Sequence, residues 1–219
     1  MQKLKLSENY YKNIEMYKQM HDEGYKKIGG DYVKKDKSFN GISTIPYATI
    51  IKKIININNF TNLLDYRCGK AEFYEKNFIS NNVEYPSLKK LWGVDIDLYD
   101  PCYIKYSNLN EHKKYDIVIC IDVLEHIPEE NISSVLNLIS SLTNKYIFLN
   151  VSCNEAVALL PNGENTHINI KEPQWWYEKI LEIIKVRENL KIICNCTIFK
   201  DGKSTNFPLQ FNDTLERYT

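Results

Sequence analysis

Apolar residues recur at helical spacing in the first part of the chain and in short unbroken runs thereafter. Between residues 7 and 28, Tyr10, Ile14, Tyr17 and His21 fall on one face, and Ser7 is placed to cap the helix they predict. Gly29 and Gly30 open a polar segment reaching Asn40 and Gly41. A second apolar-periodic stretch covers residues 45–57, with Pro46 in its first turn. From residue 60 the pattern changes to the apolar runs FTNLLDY, LKKLWGVDID, YDIVICID, KYIFLNVS and LKIICNCTIF, separated by helix-like stretches. Such runs predict parallel strands buried on both faces and joined by crossover helices. The expected chain is therefore α/β, with a helical N-terminal extension over residues 1–58 and one doubly wound domain over residues 59–219.

Composition narrows the class. A chain of 219 residues that is 43% hydrophobic and 26% charged can bury a sizeable core, which excludes disordered, collagen-like and fibrous proteins. Lys plus Arg and Asp plus Glu are both 28, so no cationic excess exists to hold a phosphate backbone, and broad nucleic-acid binding is disfavoured. The six cysteines include no C-x-x-C pair and sit largely inside apolar runs, as reduced core thiols of a cytoplasmic protein would. The N-terminal residues lack an apolar signal region, and no apolar stretch approaches the roughly 20 residues that cross a bilayer. Neither export nor membrane insertion is expected.

Ligands of doubly wound sheets bind outside the carboxyl ends of the strands. The residues ending the runs are polar: Asp65, then Asp95 and Asp97, then Asp122, then Asn150 and Ser152. Polar residues commonly end strands for structural reasons, but several converging on one rim point to a site. After Asp122, Pro128 keeps the residue just before it out of helical geometry, so Glu125 and His126 are expected in the connection at that rim and not inside the helix. Cys153–Pro173 is a long segment leading into Trp175 and Trp176, too aromatic at its end for a disordered linker.

Leu63–Ala71, an apolar strand, an acid and a glycine-bearing loop, resembles the first motif of class I S-adenosylmethionine-dependent methyltransferases. That motif carries Gly-x-Gly-x-Gly because backbone must approach the cofactor. Here only the middle glycine, Gly69, is present, with Arg67 and Ala71 at the outer positions. Leu91–Asp97 resembles the second motif, whose acid, Asp95, would accept from the ribose hydroxyls, and Tyr106–Leu109 fall where adenine contacts are expected. Tyr115–Glu130 is similar to the family's fourth strand and turn, above all in the ubiquinone-pathway O-methyltransferase branch. The resemblance implies a seven-stranded Rossmann-like sheet and S-adenosylmethionine held by Asp65, Gly69, Asp95 and Asp122.

A shorter resemblance, to metal-dependent methyltransferases of small-RNA 3′ ends, matches Asp122, Glu125, His126 and His167 and implies a divalent metal ion at Glu125, His126 and His167. The expected activity is methyl transfer to a hydroxyl or amine of a small or medium-sized acceptor. His126 would be the base, supported by Glu125 and His167, unless these three hold the ion. Tyr32, Phe39, Asn40, Tyr47, Trp175 and Trp176 are candidates for a lid. Arg67 is expected to bend away from the methionine end of the cofactor or to meet its carboxylate. The alternative is a methyltransferase fold that binds without transferring, its cofactor loop altered by Arg67.

Overall fold

The structure is a computed structural model and describes residues 6–218; the remainder of the segments 1–58 and 59–219 lies outside the described residues. Ser7 caps α1 (Glu8–Glu23) by accepting from the Tyr10 N–H at 3.2 Å, and Tyr10, Ile14, Tyr17 and His21 form its buried face. Gly24, at φ +102°, ends the helix short of residue 28, and a small hairpin of β1 (Gly24–Lys26) and β2 (Tyr32–Lys34) follows. A 3₁₀ turn over Ile42–Tyr47 leads into α2 (Ala48–Asn58).

Next come β3 (Asn62–Tyr66), a short hairpin of β4 (Phe78–Ser80) and β5 (Val83–Tyr85), α3 (Leu88–Trp92) and β6 (Asp95–Tyr99). β7 (Tyr115–Ile121), α4 (Ile132–Leu142), β8 (Thr143–Ser152), α5 (Pro173–Val186), β9 (Lys191–Lys200) and β10 (Lys203–Phe211) complete the series. One sheet runs in the order β10-β9-β8-β7-β3-β6, parallel throughout except for β10. Among the described residues it has six strands rather than seven. No described strand lies beyond β6, because the segment from Pro101 to Lys114 is polar and has no apolar run to bury on two faces. The strand unforeseen from the sequence is β10, which is largely exposed and carries Pro208, as only an edge strand readily does.

The apolar runs split between two layers by the period of the strand. Val118, Cys120, Ile147, Leu149, Ile192 and Cys194 face α1, α4 and α5, while Ile117, Ile119, Tyr146, Phe148 and Ile193 face α2 and α3. All six cysteines are free thiols, five of them buried. No described helix is long and apolar enough to cross a membrane.

After β3 the chain moves to β6 on one side and then to β7 on the other, so the order reverses between β3 and β7. The loop at that point turns through three left-handed residues: Arg67 at φ +67°, Gly69 at +61° and Ala71 at +51°. The N-terminal extension lies directly on it. Lys70 N–H donates to the Phe39 carbonyl at 2.7 Å and Glu72 N–H to the Asn40 carbonyl at 3.0 Å. A Cβ on Gly69 would strike the carbonyl oxygen of Phe39, whereas Gly163, at φ +88°, has open space around it. Gly69→Ala is therefore expected to cost about 2–4 kcal/mol, strain and clash together, and Gly163→Ala about 1–2 kcal/mol for strain alone. Urea unfolding followed by circular dichroism checks the pair, and equal losses would refute the close-approach argument.

Candidate functional site

A pocket with a cavity volume of about 110 Å³ opens at the reversal point, between the carboxyl ends of β3, β6 and β7 and the N-terminal extension. β3 contributes Asp65, and the loop after it Arg67, Cys68 and Gly69. Asp65 is buried and accepts from the Tyr74 hydroxyl at 2.7 Å. Burial pushes its carboxyl up to about 7 despite that bond, with Asp100 adding to the rise.

Asp122, just after β7, also sits in the left-handed region, at φ +53°. Its backbone N–H donates to the Asn150 carbonyl at 3.0 Å, and the Asn150 amide donates to its Oδ1. Asn150 Oδ1 in turn accepts from the Tyr47 hydroxyl at 2.6 Å and from Thr197 at 3.1 Å. Burial holds the Asp122 carboxyl above the ordinary carboxylate range, against the pull of the Asn150 hydrogen bond.

Asp95 is elsewhere. It opens β6 opposite Asn62, the first residue of β3, so it stands at the amino end of the sheet, away from the pocket. Its side chain is 68% exposed and pairs with Lys113 at 3.0 Å. The reason is local: LKKLW of the apolar run folds as α3, capped by Ser87 and ended by Gly93 at φ +67°, which delays the strand. Asp100 holds the rim position instead. It is buried and accepts from the N–H groups of Gly69 and Cys102, both at 2.8 Å. Asp97 pairs with Lys113 and accepts from Tyr115, and Tyr106, Asn108 and Leu109 line a different depression beside it.

The extension supplies the far wall through Tyr17, His21, Phe39, Ser43 and Thr44. The His21 ring stacks on Phe39 at 4.5 Å and on Tyr103 at 5.5 Å. Among the aromatic lid candidates, Phe39 lines the pocket and Tyr47 supports Asn150, whereas Tyr32 is exposed and donates to the Glu23 carbonyl. Trp176 is on the fully buried face of α5, and Trp175 packs beside Lys171 and Lys179; the tryptophans hold that helix in place.

Glu125 and His126 lie in a 3₁₀ turn between β7 and α4, and Ile127, the residue before Pro128, is extended, so the turn does not run on into α4. His126 Nδ1 is 2.9 Å from the Thr166 carbonyl, which can only accept; the ring proton is therefore on Nδ1 and the Nε2 lone pair is free. Tyr17 Oη is 2.7 Å from the same nitrogen. His167 Nδ1 likewise meets the Asn154 carbonyl, and the two imidazoles stand 4.7 Å apart. Burial, then the neighbouring His167, pulls His126 down to about 3, and burial lowers His167 as well, so both rings are neutral.

Glu125 is completely buried. Its Oε1 accepts from the Ser152 N–H at 2.9 Å, but Oε2 has no partner. Burial, and then Asp122, drives its carboxyl well above the ordinary range. One ligand atom from each of Glu125, His126 and His167 lies within 4.8 Å of the others. The long loop is ordered by its own polar residues: the Asn165 side chain binds both the N–H and the carbonyl of Ala156, and its Oδ1 accepts from His167 N–H.

Asp100, Tyr17 and His21 are among the pocket residues that the sequence reading missed. The histidine and tyrosine sit on the apolar-periodic face of α1 and were indistinguishable there from packing residues. Asp100 had a signal, since it follows the apolar end of β6 and precedes Pro101. Neither protein-family models nor curated protein sequences give a match to the chain.

The raised carboxyl of Asp65 has a consequence for stability. Between the unfolded value, about 4, and the folded value of about 7, the native state holds a proton that the unfolded chain has lost. Stability from this residue is thus complete below pH 4 and lost as pH rises through 7. Urea titrations from pH 4 to 8 should show Asp65→Asn removing a falling limb from the stability profile; an unchanged limb would contradict the assignment.

Proposed function

We propose that the protein transfers the methyl group of S-adenosylmethionine to a hydroxyl or amine of a small or medium-sized acceptor. The observation that carries this reading is the loop after buried Asp65. It keeps left-handed backbone at all three expected glycine positions although two are occupied by arginine and alanine. Left-handed non-glycine residues are strained, and such strain collects at ligand sites. The pocket's charges fit the same ligand: Asp65, Asp100 and Asp122 face a single guanidinium, Arg67, and S-adenosylmethionine carries a sulfonium and an ammonium against one carboxylate.

Transfer is an in-line displacement. A lone pair of the acceptor oxygen or nitrogen forms the new bond to the methyl carbon, and the C–S bond breaks with its electron pair left on sulfur. The protein aligns the two partners and removes one proton. His126 Nε2, left without a proton by the Nδ1 contact to the Thr166 carbonyl, is the group to take it.

Glu125, His126 and His167 also fit a divalent ion. Glu125 Oε2 is a buried oxygen without a partner, and both imidazoles donate from Nδ1 to backbone carbonyls, the arrangement that directs Nε2 at a metal. The mixed donor set suits Mn, Fe or Zn better than Ca. Bound there, such an ion would lower the pKa of an acceptor hydroxyl. A cytoplasmic site of action belongs to the same proposal, on the strength of six free thiols.

Calorimetric titration with S-adenosylmethionine and S-adenosylhomocysteine tests the cofactor. Both should bind, and Asp100→Asn should weaken binding about 10- to 100-fold while Asp95→Asn leaves it unchanged. Absence of heat with either compound would end the methyltransferase reading. For the ion, added Mn²⁺ or Zn²⁺ should raise Tm in the wild type and not in His126→Ala or His167→Ala. A Tm indifferent to metal would leave His126 as the base without an ion.

A further inference from the structure

Arg67 is the least expected residue of the pocket, and its surroundings are unusual for a cation. It follows β3 at a left-handed position and lines the pocket with Asp65, Gly69 and Asp122. Its guanidinium donates to the Tyr10 hydroxyl and lies 5.2 Å from the Tyr10 ring centroid. No described carboxylate forms an ion pair with it, and its Nε is buried without a hydrogen-bond partner.

The nearby acids are already engaged. Asp100 is held by the N–H groups of Gly69 and Cys102, and Asp65 by the Tyr74 hydroxyl. A guanidinium removed from water without a counter-ion is costly, and the cost falls when a carboxylate pairs with it. The planar fork of guanidinium donors suits a carboxylate in particular.

Resting on the cofactor reading above, we infer that Arg67 and Tyr10 form a carboxylate-reading subsite for the amino-acid end of the ligand. The pocket would then discriminate by side-chain charge, where the glycine loop it resembles offers only backbone. Tyr10 comes from α1, so the subsite joins the N-terminal extension to the loop after β3. Arg67 is in this role a specificity-determining residue and takes no part in proton removal.

The discriminating pair of probes is S-adenosylmethionine and its decarboxylated form, which differ in the carboxylate alone. Wild-type protein should bind S-adenosylmethionine at least about 10-fold more tightly. Arg67→Gln should abolish that preference, by weakening S-adenosylmethionine and leaving the decarboxylated compound unchanged or improved. Arg67→Lys, which keeps the charge, should restore part of it. Equal weakening of both compounds by Arg67→Gln, or a preference that survives the substitution, would overturn the subsite while leaving the cofactor reading intact. Should the glutamine variant fail to fold, the lysine variant and Tyr10→Phe decide by the same ratio, and a ratio unchanged in both overturns the proposal. Failure of the wild type to bind either compound would sink the cofactor reading and this inference with it.

Discussion

The site depends on how the chain turns after β3. Arg67 and Ala71 each adopt a backbone conformation that costs a side-chain-bearing residue roughly 1–2 kcal/mol, so the turn persists only if its surroundings fix it. They do so from two sides. The N–H groups of Arg67 and Cys68 both donate to the Tyr99 carbonyl, at 2.6 and 3.0 Å, and Asp100 holds Gly69; all of this comes from the end of β6. From the other side, Phe39 and Asn40 accept from Lys70 and Glu72, and the Lys70 ammonium reaches the His21 carbonyl at 3.1 Å. The N-terminal extension is thus a wall of the pocket that also braces the loop, which ties its packing to the shape of the site.

The same packing sets the electrostatics. Asp65, Asp122 and Glu125 are all raised by burial, because the extension and the long loop exclude water from the strand ends. Desolvated acids of this kind are poised to respond to a cation, since an incoming positive charge stabilises the ionised form and returns the pKa toward its ordinary value. A cationic ligand would therefore release protons on binding. The pocket is better matched to a positively charged molecule than to a neutral or anionic one of the same size, apart from the spot beside Arg67.

Much of this was legible in the sequence, and the failures have physical causes. Unbroken apolar runs read correctly as strands buried on two faces, because alternate residues of each run enter different layers and both layers are apolar. Glu125 and His126 were placed in the connection by the steric rule that proline imposes on the residue before it, Ile127, whose extended backbone separates their turn from α4. Asp95 misled because LKKLWGVDID contains a helix and a strand in one apolar run, and only the cap at Gly93 separates them. β10 was invisible since an exposed edge strand needs no apolar pattern. Tyr17 and His21 keep their helical spacing whether they pack or line a pocket. What decides between the two is Phe39, Tyr103 and the sheet beyond, contacts made over long sequence distances.

The two ends of the site are built from different parts of the chain. The loop after β3 and the end of β6 shape the region of Asp65, Gly69 and Arg67. Glu125, His126 and His167 are instead oriented by the carbonyls of Thr166 and Asn154 and by the Ser152 N–H, all on β8 or the long segment that follows it. Tyr17 bridges the two, contributing to the pocket wall while its hydroxyl contacts His126 and donates to the Thr166 carbonyl at 3.1 Å. Changes in the segment after β8 can therefore alter the chemistry at the imidazoles without disturbing the β3 loop. A change on the Tyr17 face of α1 reaches both ends at once.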